Sequence, residues 1–275
     1  MAKKPPPKQT EKDEERESKK VEPPRGIVAD YLESFVVTLI MALFGMTFVI
    51  QAVTVPTGSM QNTILIGDYL LVNKFIFTSG GDPLPFLPQR DIERGDVIVF
   101  KYPGEHDNVE KTEDRGGRPY QINFVKRVIG LPGDKIEIKG TEVYVNDELL
   151  PEHRVIGFLP TDDAALETQQ FEERKEGETY DVYYREEMLR GQNRMEPYVF
   201  GAEGEPTVVP EGHYFVLGDS RNYSLDSRYW GFVPRELVVG RAMVVYWSCD
   251  RAASRGSLIG CITNPRLDRI GKLIR

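Results

Sequence analysis

The run Pro56-Thr57-Gly58-Ser59-Met60 sets a serine in a tight, glycine-containing turn directly behind an apolar stretch of membrane length. A serine hydroxyl is a poor nucleophile until a neighbouring base takes its proton. Lys126, in the run Ile122-Asn123-Phe124-Val125-Lys126-Arg127-Val128-Ile129, is a candidate for that base. Strand alternation puts Phe124, Lys126 and Val128 on one face and Val125, Arg127 and Ile129 on the other. An amine projecting between apolar neighbours is desolvated, which disfavours the ammonium and lowers its pKa from about 10.4. A neutral amine near physiological pH can accept a proton, whereas the Arg127 guanidinium stays charged. Each residue alone has a plainer use: Thr57 or Ser59 as a helix cap, and Lys126 as a side chain whose stem covers apolar surface while its ammonium reaches water. Together they point to a serine–lysine hydrolase.

The same turn offers groups for a developing oxyanion. Gly58 allows close backbone approach, the Ser59 N–H can point at the oxygen, and the Thr57 hydroxyl can add a second donor. A third polar block follows an apolar strand, from Gly218-Asp219 through Ser224-Leu225-Asp226-Ser227-Arg228 to Gly231. There Ser224 can hydrogen-bond and orient the Lys126 amine, and Asp226 can pair with Arg228 to stiffen the loop. An ordinary surface loop with Asx turns is the alternative for that block. Spacing also leaves open a Ser59-His213-Asp219 triad, although His213 is more simply a strand-edge residue. Glu172 and Glu173 read as a solvated helical face.

These groups need a scaffold, and its pattern is β. Short apolar runs recur behind Gly-Asp turns: residues 69–75, 97–102 and 135–139. Ile136 and Ile138, then Gly140-Thr141, then Val143 and Val145 make a hairpin pattern. Further strands are expected at 213–217 and 238–247. Residues 147–209, rich in Glu, Arg and Gln, read as an insertion or second small domain with a short helix near 164–174 and a strand at 180–184. The apolar loop Pro83-Leu84-Pro85-Phe86-Leu87-Pro88 cannot sit inside a helix, and is expected to pack on the domain rather than touch the membrane.

The 275 residues are 40% hydrophobic and 28% charged, ordinary for a folded protein with a real core. A net charge of -8 without a basic patch argues against a nucleic-acid partner. Cys249 and Cys261, the only cysteines, lack the spacing of a metal site; a disulfide and two buried thiols both remain open. Residues 34–67 carry no charge, and 34–53 as a helix would span roughly 30 Å, about the hydrocarbon thickness of a bilayer. Arg16, Lys19, Lys20 and Arg25 precede this run and the first basic residue after it is Lys74, so the positive-inside rule puts the N-terminus in the cytoplasm. The expected organisation is a disordered cytoplasmic tail (1–26), a transmembrane helix (27–53), an extracytoplasmic β domain (54–146 and 210–250), the 147–209 insertion and a C-terminal segment (251–275) of no inferred role.

Four segments in this order behind one span, PTGSMQNTILIGDYLLVNKF (56–75), RGDVIVFKYP (94–103), FVKRVIGLPGDKIEI (124–138) and GDSRNYSLDSRYWGFVP (218–234), resemble the bacterial type I signal peptidase (leader peptidase) family. The resemblance implies a mainly antiparallel β catalytic domain without metal or cofactor, tethered in the bacterial plasma membrane and removing signal peptides from exported preproteins after a small-x-small sequence. It makes Ser59 the nucleophile, Lys126 the general base and Thr57 an oxyanion-hole contributor. Ser224 orients the lysine, and Asp226, Arg228, Gly218 and Asp219 support the site. Substrate would bind as an added β-strand over shallow pockets lined by Met60, Phe124 and Val125. Two features depart from some relatives: there is one span rather than two, and Ser220 stands where an Asn is usual. Other readings are a self-cleaving protease like the LexA-type repressors, against which the span argues, and a tethered β domain that captures extended segments without cutting them.

Overall fold

The computed structural model describes residues 26–77, 89–104, 121–158, 165, 167–171, 173–189, 197–254 and 257–275. The expected tail 1–25, the proline-rich loop 83–88 and Glu172 lie outside the described residues. The described residues divide into two compact units, with the boundary between Met46 and Thr47.

The first unit contains the helix Ile27–Phe44. With the π turn that follows, it forms a 23-residue stretch, Ile27–Val49, of mean hydropathy 2.0 and with no buried residue, long and apolar enough to cross a membrane. The apolar run expected to remain helical to residue 53 divides at Val49: its last residues belong to strand β1 (Ile50–Thr54), which pairs antiparallel with β2 (Asp68–Asn73). Apolar residues suit either element, and partner-strand hydrogen bonds decide between them.

The second unit is mainly antiparallel β. Strands β3 (Val97–Lys101), β4 (Asn123–Gly130), β12 (His213–Leu217), β13 (Val233–Pro234) and β14 (Val238–Ser248) join the first two in a seven-stranded sheet of order β1-β2-β14-β3-β4-β12-β13. A second sheet, β11-β5-β6-β7, holds the expected hairpin β5 (Lys135–Lys139) and β6 (Glu142–Val145), with β7 (Glu148–Leu149) and β11 (Thr207–Val208). A third, β10-β8-β9, comes from the insertion: β8 (His153–Phe158), β9 (Glu167–Phe171) and β10 (Asp181–Arg185). The helix expected near 164–174 is therefore replaced at its centre by β9, because pairing with β8 outweighs the helical preference of its Glu and Gln residues.

Val53, Val55, Met60, Ile64, Leu70, Val99 and Val245 pack into one core cluster beneath the Ser59 turn. Phe100, Tyr102, Val128, Val216 and Trp230 form another beside the 218–231 loop. The insertion is not a detached body. Tyr183 N–H donates to Asp219 O at 2.7 Å, and Arg221 N–H donates to Tyr183 O at 2.9 Å, so β10 braces the polar loop through its backbone.

Candidate active site

Two segments far apart in sequence bring the candidate nucleophile and base together. After β1 the chain turns over residues 59–63, with Gln61 N–H donating to Gly58 O (3.1 Å) and Ile64 N–H to Met60 O (2.8 Å). Met60 drives its side chain into the core, where its Sδ accepts from Asp219 N–H at 3.4 Å; it anchors the turn from below. Glycine at position 58 leaves room for the Gln61 side chain: a Cβ there would meet Gln61 Oε1 at 2.6 Å, and that side chain would have to shift.

Lys126 Nζ stands 2.6 Å from Ser59 Oγ and 3.2 Å from Val125 O. Lys126 is 3% exposed and Ser59 9%. Burial, the main cause, lowers the Lys126 pKa to about 8; Asp226 pulls it back upward, Arg228 opposes that pull, and Asp219 adds a weaker upward one. Near neutrality a useful fraction of the amine is therefore unprotonated. In that state the Ser59 hydroxyl donates along the same 2.6 Å line. Among the described residues the Ser59 N–H makes no hydrogen bond, and Thr57 is exposed two residues before it.

The 218–231 loop is held by pairs of opposite charge. Asp226 accepts from Arg228 Nε (2.7 Å) and Nη2 (2.8 Å) and from Gly218 N–H (3.0 Å). Burial opposes ionisation of Asp226, but the Arg228 charge and these bonds outweigh it and hold the carboxyl below its usual range. Asp219 accepts a bidentate pair from Arg127, Nε to Oδ1 at 2.8 Å and Nη2 to Oδ2 at 2.6 Å, and a third bond from Thr63 Oγ1 at 2.5 Å. Burial works against the Arg127 charge, yet Asp219 raises its pKa above the ordinary value.

Gly218 lies where two segments of the chain cross: a Cβ there would meet Ser224 Oγ at 2.2 Å and Ser59 O at 2.4 Å. Ser224 thus reaches the site, but its hydrogen bond to the Lys126 amine is not formed. Its Oγ is buried and near enough to favour the Asp226 carboxylate, while no partner meets it in hydrogen-bond geometry.

The Ser59-His213-Asp219 triad is not assembled. Ser59 Oγ contacts Lys126, Asp219 is taken by Arg127, and His213 Nδ1 is 2.8 Å from Glu211 O at the far end of β12. Cys249 and Cys261 form a disulfide.

Sequence reasoning passed over several supporting groups. The sequence marks Arg127 only as a side chain too basic to act as a base, not as the partner of Asp219. Arg185 donates to Gln61 Oε1 at 2.8 Å and stacks on Tyr223 with 3.4 Å between guanidinium carbon and ring centre, while its backbone N–H donates to Asn222 Oδ1 (2.9 Å) and its carbonyl accepts from Asn222 Nδ2 (2.8 Å). Arg221 makes a buried two-pronged pair with Glu152 of the insertion. The abundance of arginine in and around the last motif was the available signal; nothing marked Glu152.

Among the described residues, positions 123–126 of β4 are paired on one side only. β3 runs along all of 123–127, but β12 begins its pairing at Arg127. A strand edge thus lies open beside Ser59 and Lys126, flanked by half-buried Phe124 and Val125.

Residues 28–247 match the model of the signal peptidase family, peptidase S26. A signal peptidase I of Pseudomonas aeruginosa is 35% identical over 81% of this chain and 73% of its own. One from Aquifex aeolicus is 33% identical over 88% and 96%. A crystal structure of a signal peptidase I from Enterococcus faecalis aligns with 55% of this chain and 97% of its own, at 26% identity and a TM-score of 0.30. With a family match over most of its length and a buried serine–lysine contact inside that match, the chain belongs to the signal peptidase family, peptidase S26.

Proposed function

We propose that the chain is a membrane-tethered endopeptidase that cuts signal peptides from exported preproteins with a Ser59–Lys126 pair. The observation that carries this is the 2.6 Å contact between Ser59 Oγ and a buried amine whose pKa is lowered to about 8. The preprotein adds as a strand along residues 123–125, its scissile carbonyl over Ser59. Small side chains at the first and third positions before the cut fit shallow pockets walled by Phe124 and Val125, with Met60 as the floor.

Lys126 takes the Ser59 proton as Oγ bonds to the carbonyl carbon, and the oxyanion is met by Ser59 N–H and Thr57 Oγ1. The Lys126 ammonium then gives its proton to the departing amine as the peptide bond breaks, leaving an acyl-enzyme. A water that loses its proton to Lys126 attacks the ester, and the proton returns to Ser59 as the signal peptide leaves. Ser224, whose hydroxyl is unspent, holds the Lys126 amine once Ser59 Oγ has turned to substrate. Gly218, Asp219, Asp226 and Arg228 keep the loop rigid. No metal or cofactor takes part.

The basic residues before the span support a cytoplasmic N-terminus and an extracytoplasmic catalytic domain. The apolar span Ile27–Val49 contacts membrane lipid and keeps the enzyme beside a substrate that is itself membrane-bound, which raises the effective substrate concentration.

The test is cleavage of a purified precursor by the detergent-solubilised protein and by Ser59→Ala, reading the new N-terminus by mass spectrometry. A cut after a small-x-small sequence, lost in Ser59→Ala, is the expected result. A folded wild-type protein that binds the precursor without cutting it would favour a capture module instead.

A further inference from the structure

The family match ends at Trp247, and the chain beyond it returns to the catalytic domain. The Cys249–Cys261 disulfide ties the end of β14 to the helix Leu258–Thr263. The chain then runs back along β14: Arg266 N–H donates to Ser248 O at 2.9 Å, Gly271 N–H to Val245 O at 2.8 Å, and Ile274 N–H to Met243 O at 2.8 Å. Ile274 joins the core cluster that contains Met60.

Arg269, buried on this returning stretch, reaches the loop that follows the Ser59 turn. Its Nη2 donates to Asp68 Oδ2 at 2.6 Å and to Thr63 O at 3.0 Å, while Nε lies 3.1 Å from both Asp68 oxygens. Asp68, fully buried, also accepts from Leu65 N–H (2.9 Å) and Ser248 Oγ (2.7 Å). Thr63 is therefore gripped twice. Its hydroxyl is bound to Asp219, which is paired with Arg127 beside Lys126, and its carbonyl is bound to Arg269.

Thr63 ends the turn that begins at Ser59. Fixing it from both sides fixes where Ser59 Oγ lies relative to Nζ. Reacting groups tolerate little error: a displacement of about 1 Å can cost about 100-fold in rate.

We propose that Arg269 is a positioning residue for the Ser59 turn, supplied by a segment outside the family-matched region. The inference rests on the serine–lysine reading above. Arg269 touches neither substrate nor Lys126; it acts through Thr63 and Asp68.

The test uses the full detergent-solubilised chain, comparing wild type, Arg269→Gln, Arg269→Lys, the pair Asp68→Asn/Arg269→Gln, and Ser59→Ala. Precursor cleavage gives kcat, KM and the pH profile, and thermal melting gives the folded fraction. The expected result for Arg269→Gln, corrected for folded protein, is a kcat lowered by about 30- to 100-fold with KM nearly unchanged and the acid limb displaced from the wild-type midpoint. Arg269→Lys, which keeps one charged donor, should recover part of the loss. If Arg269→Gln does not fold, the double variant, which leaves no unpaired buried carboxylate, is read for the same kcat loss and displaced limb. A variant with wild-type kcat and midpoint but a lowered melting temperature would overturn the proposal and leave Arg269 a purely structural clamp. Cleavage surviving in Ser59→Ala would instead overturn the serine–lysine reading itself.

Discussion

Lys126 and Arg127 are consecutive residues on opposite faces of β4, 3% and 1% exposed, yet burial does opposite things to them. Among the described residues Lys126 has only Ser59 Oγ and Val125 O as hydrogen-bond partners, and its pKa falls to about 8. Arg127 meets Asp219 with two hydrogen bonds, donates to Gly95 O and Arg275 O, lies over the Tyr180 ring, and stays a cation. Desolvation is common to both, and compensation differs. One strand therefore carries an amine of lowered pKa on one face and a permanent charge on the other.

The most damaging way to break this contrast is to remove a reacting group. Ser59→Ala or Lys126→Arg should reduce cleavage by at least about 10⁴-fold, the scale of losing a member of a nucleophile–base unit. Single-turnover assays on folded protein check this, and a fully active Lys126→Arg would end its role as base.

On the other face, Arg127→Met leaves Asp219 buried without its cation. The expected loss is about 3–5 kcal/mol of stability, seen as a lower melting temperature, with part regained in Arg127→Met/Asp219→Asn. A neutral single variant would mean that the pair carries no net stability.

Lys126→Met should do the reverse and stabilise the domain. The folded pKa, about 8, lies below the unfolded value of 10.5, so between these the unfolded chain binds more protons. The wild type gains stability as pH rises from about 8 toward 10.5 and loses it as pH falls through about 8. The advantage of Lys126→Met, up to about 3 kcal/mol, should thus be largest below pH 8 and shrink above it. Melting curves across that range decide the point.

A finer change is Ser224→Ala, expected to lower kcat by about 10-fold, a fraction of a general base's usual contribution, with KM unchanged. A changed KM would place Ser224 in substrate binding instead.

Much of the candidate site was legible because the residues that meet there sit inside local patterns. Ser59 follows Gly58 in a turn, Lys126 sits in an alternating strand, and Asp226 is two residues from its partner Arg228. The β5–β6 hairpin was equally readable from its alternation and its Gly140-Thr141 turn. What escaped depends on residues that meet only after folding. Arg127 is 92 residues from Asp219, Glu152 is 69 from Arg221, and Asp68 is 201 from Arg269. No local periodicity records such pairs. The same cause explains the elements that moved: β1 needed β2 to end the apolar helix at Val49, and β9 needed β8 to displace a helix. The insertion looked separate for its composition, although its β10 backbone braces the 218–231 loop.

The central claim is that Lys126 works as a neutral base on Ser59, and the pH profile of kcat/KM for precursor cleavage tests it most directly. The account predicts a single-proton acid limb with its midpoint near the Lys126 pKa of about 8, and no such limb in the residual rate of Lys126→Met. A profile flat through that region, or one centred near pH 6.5 and abolished by His213→Asn, would contradict it.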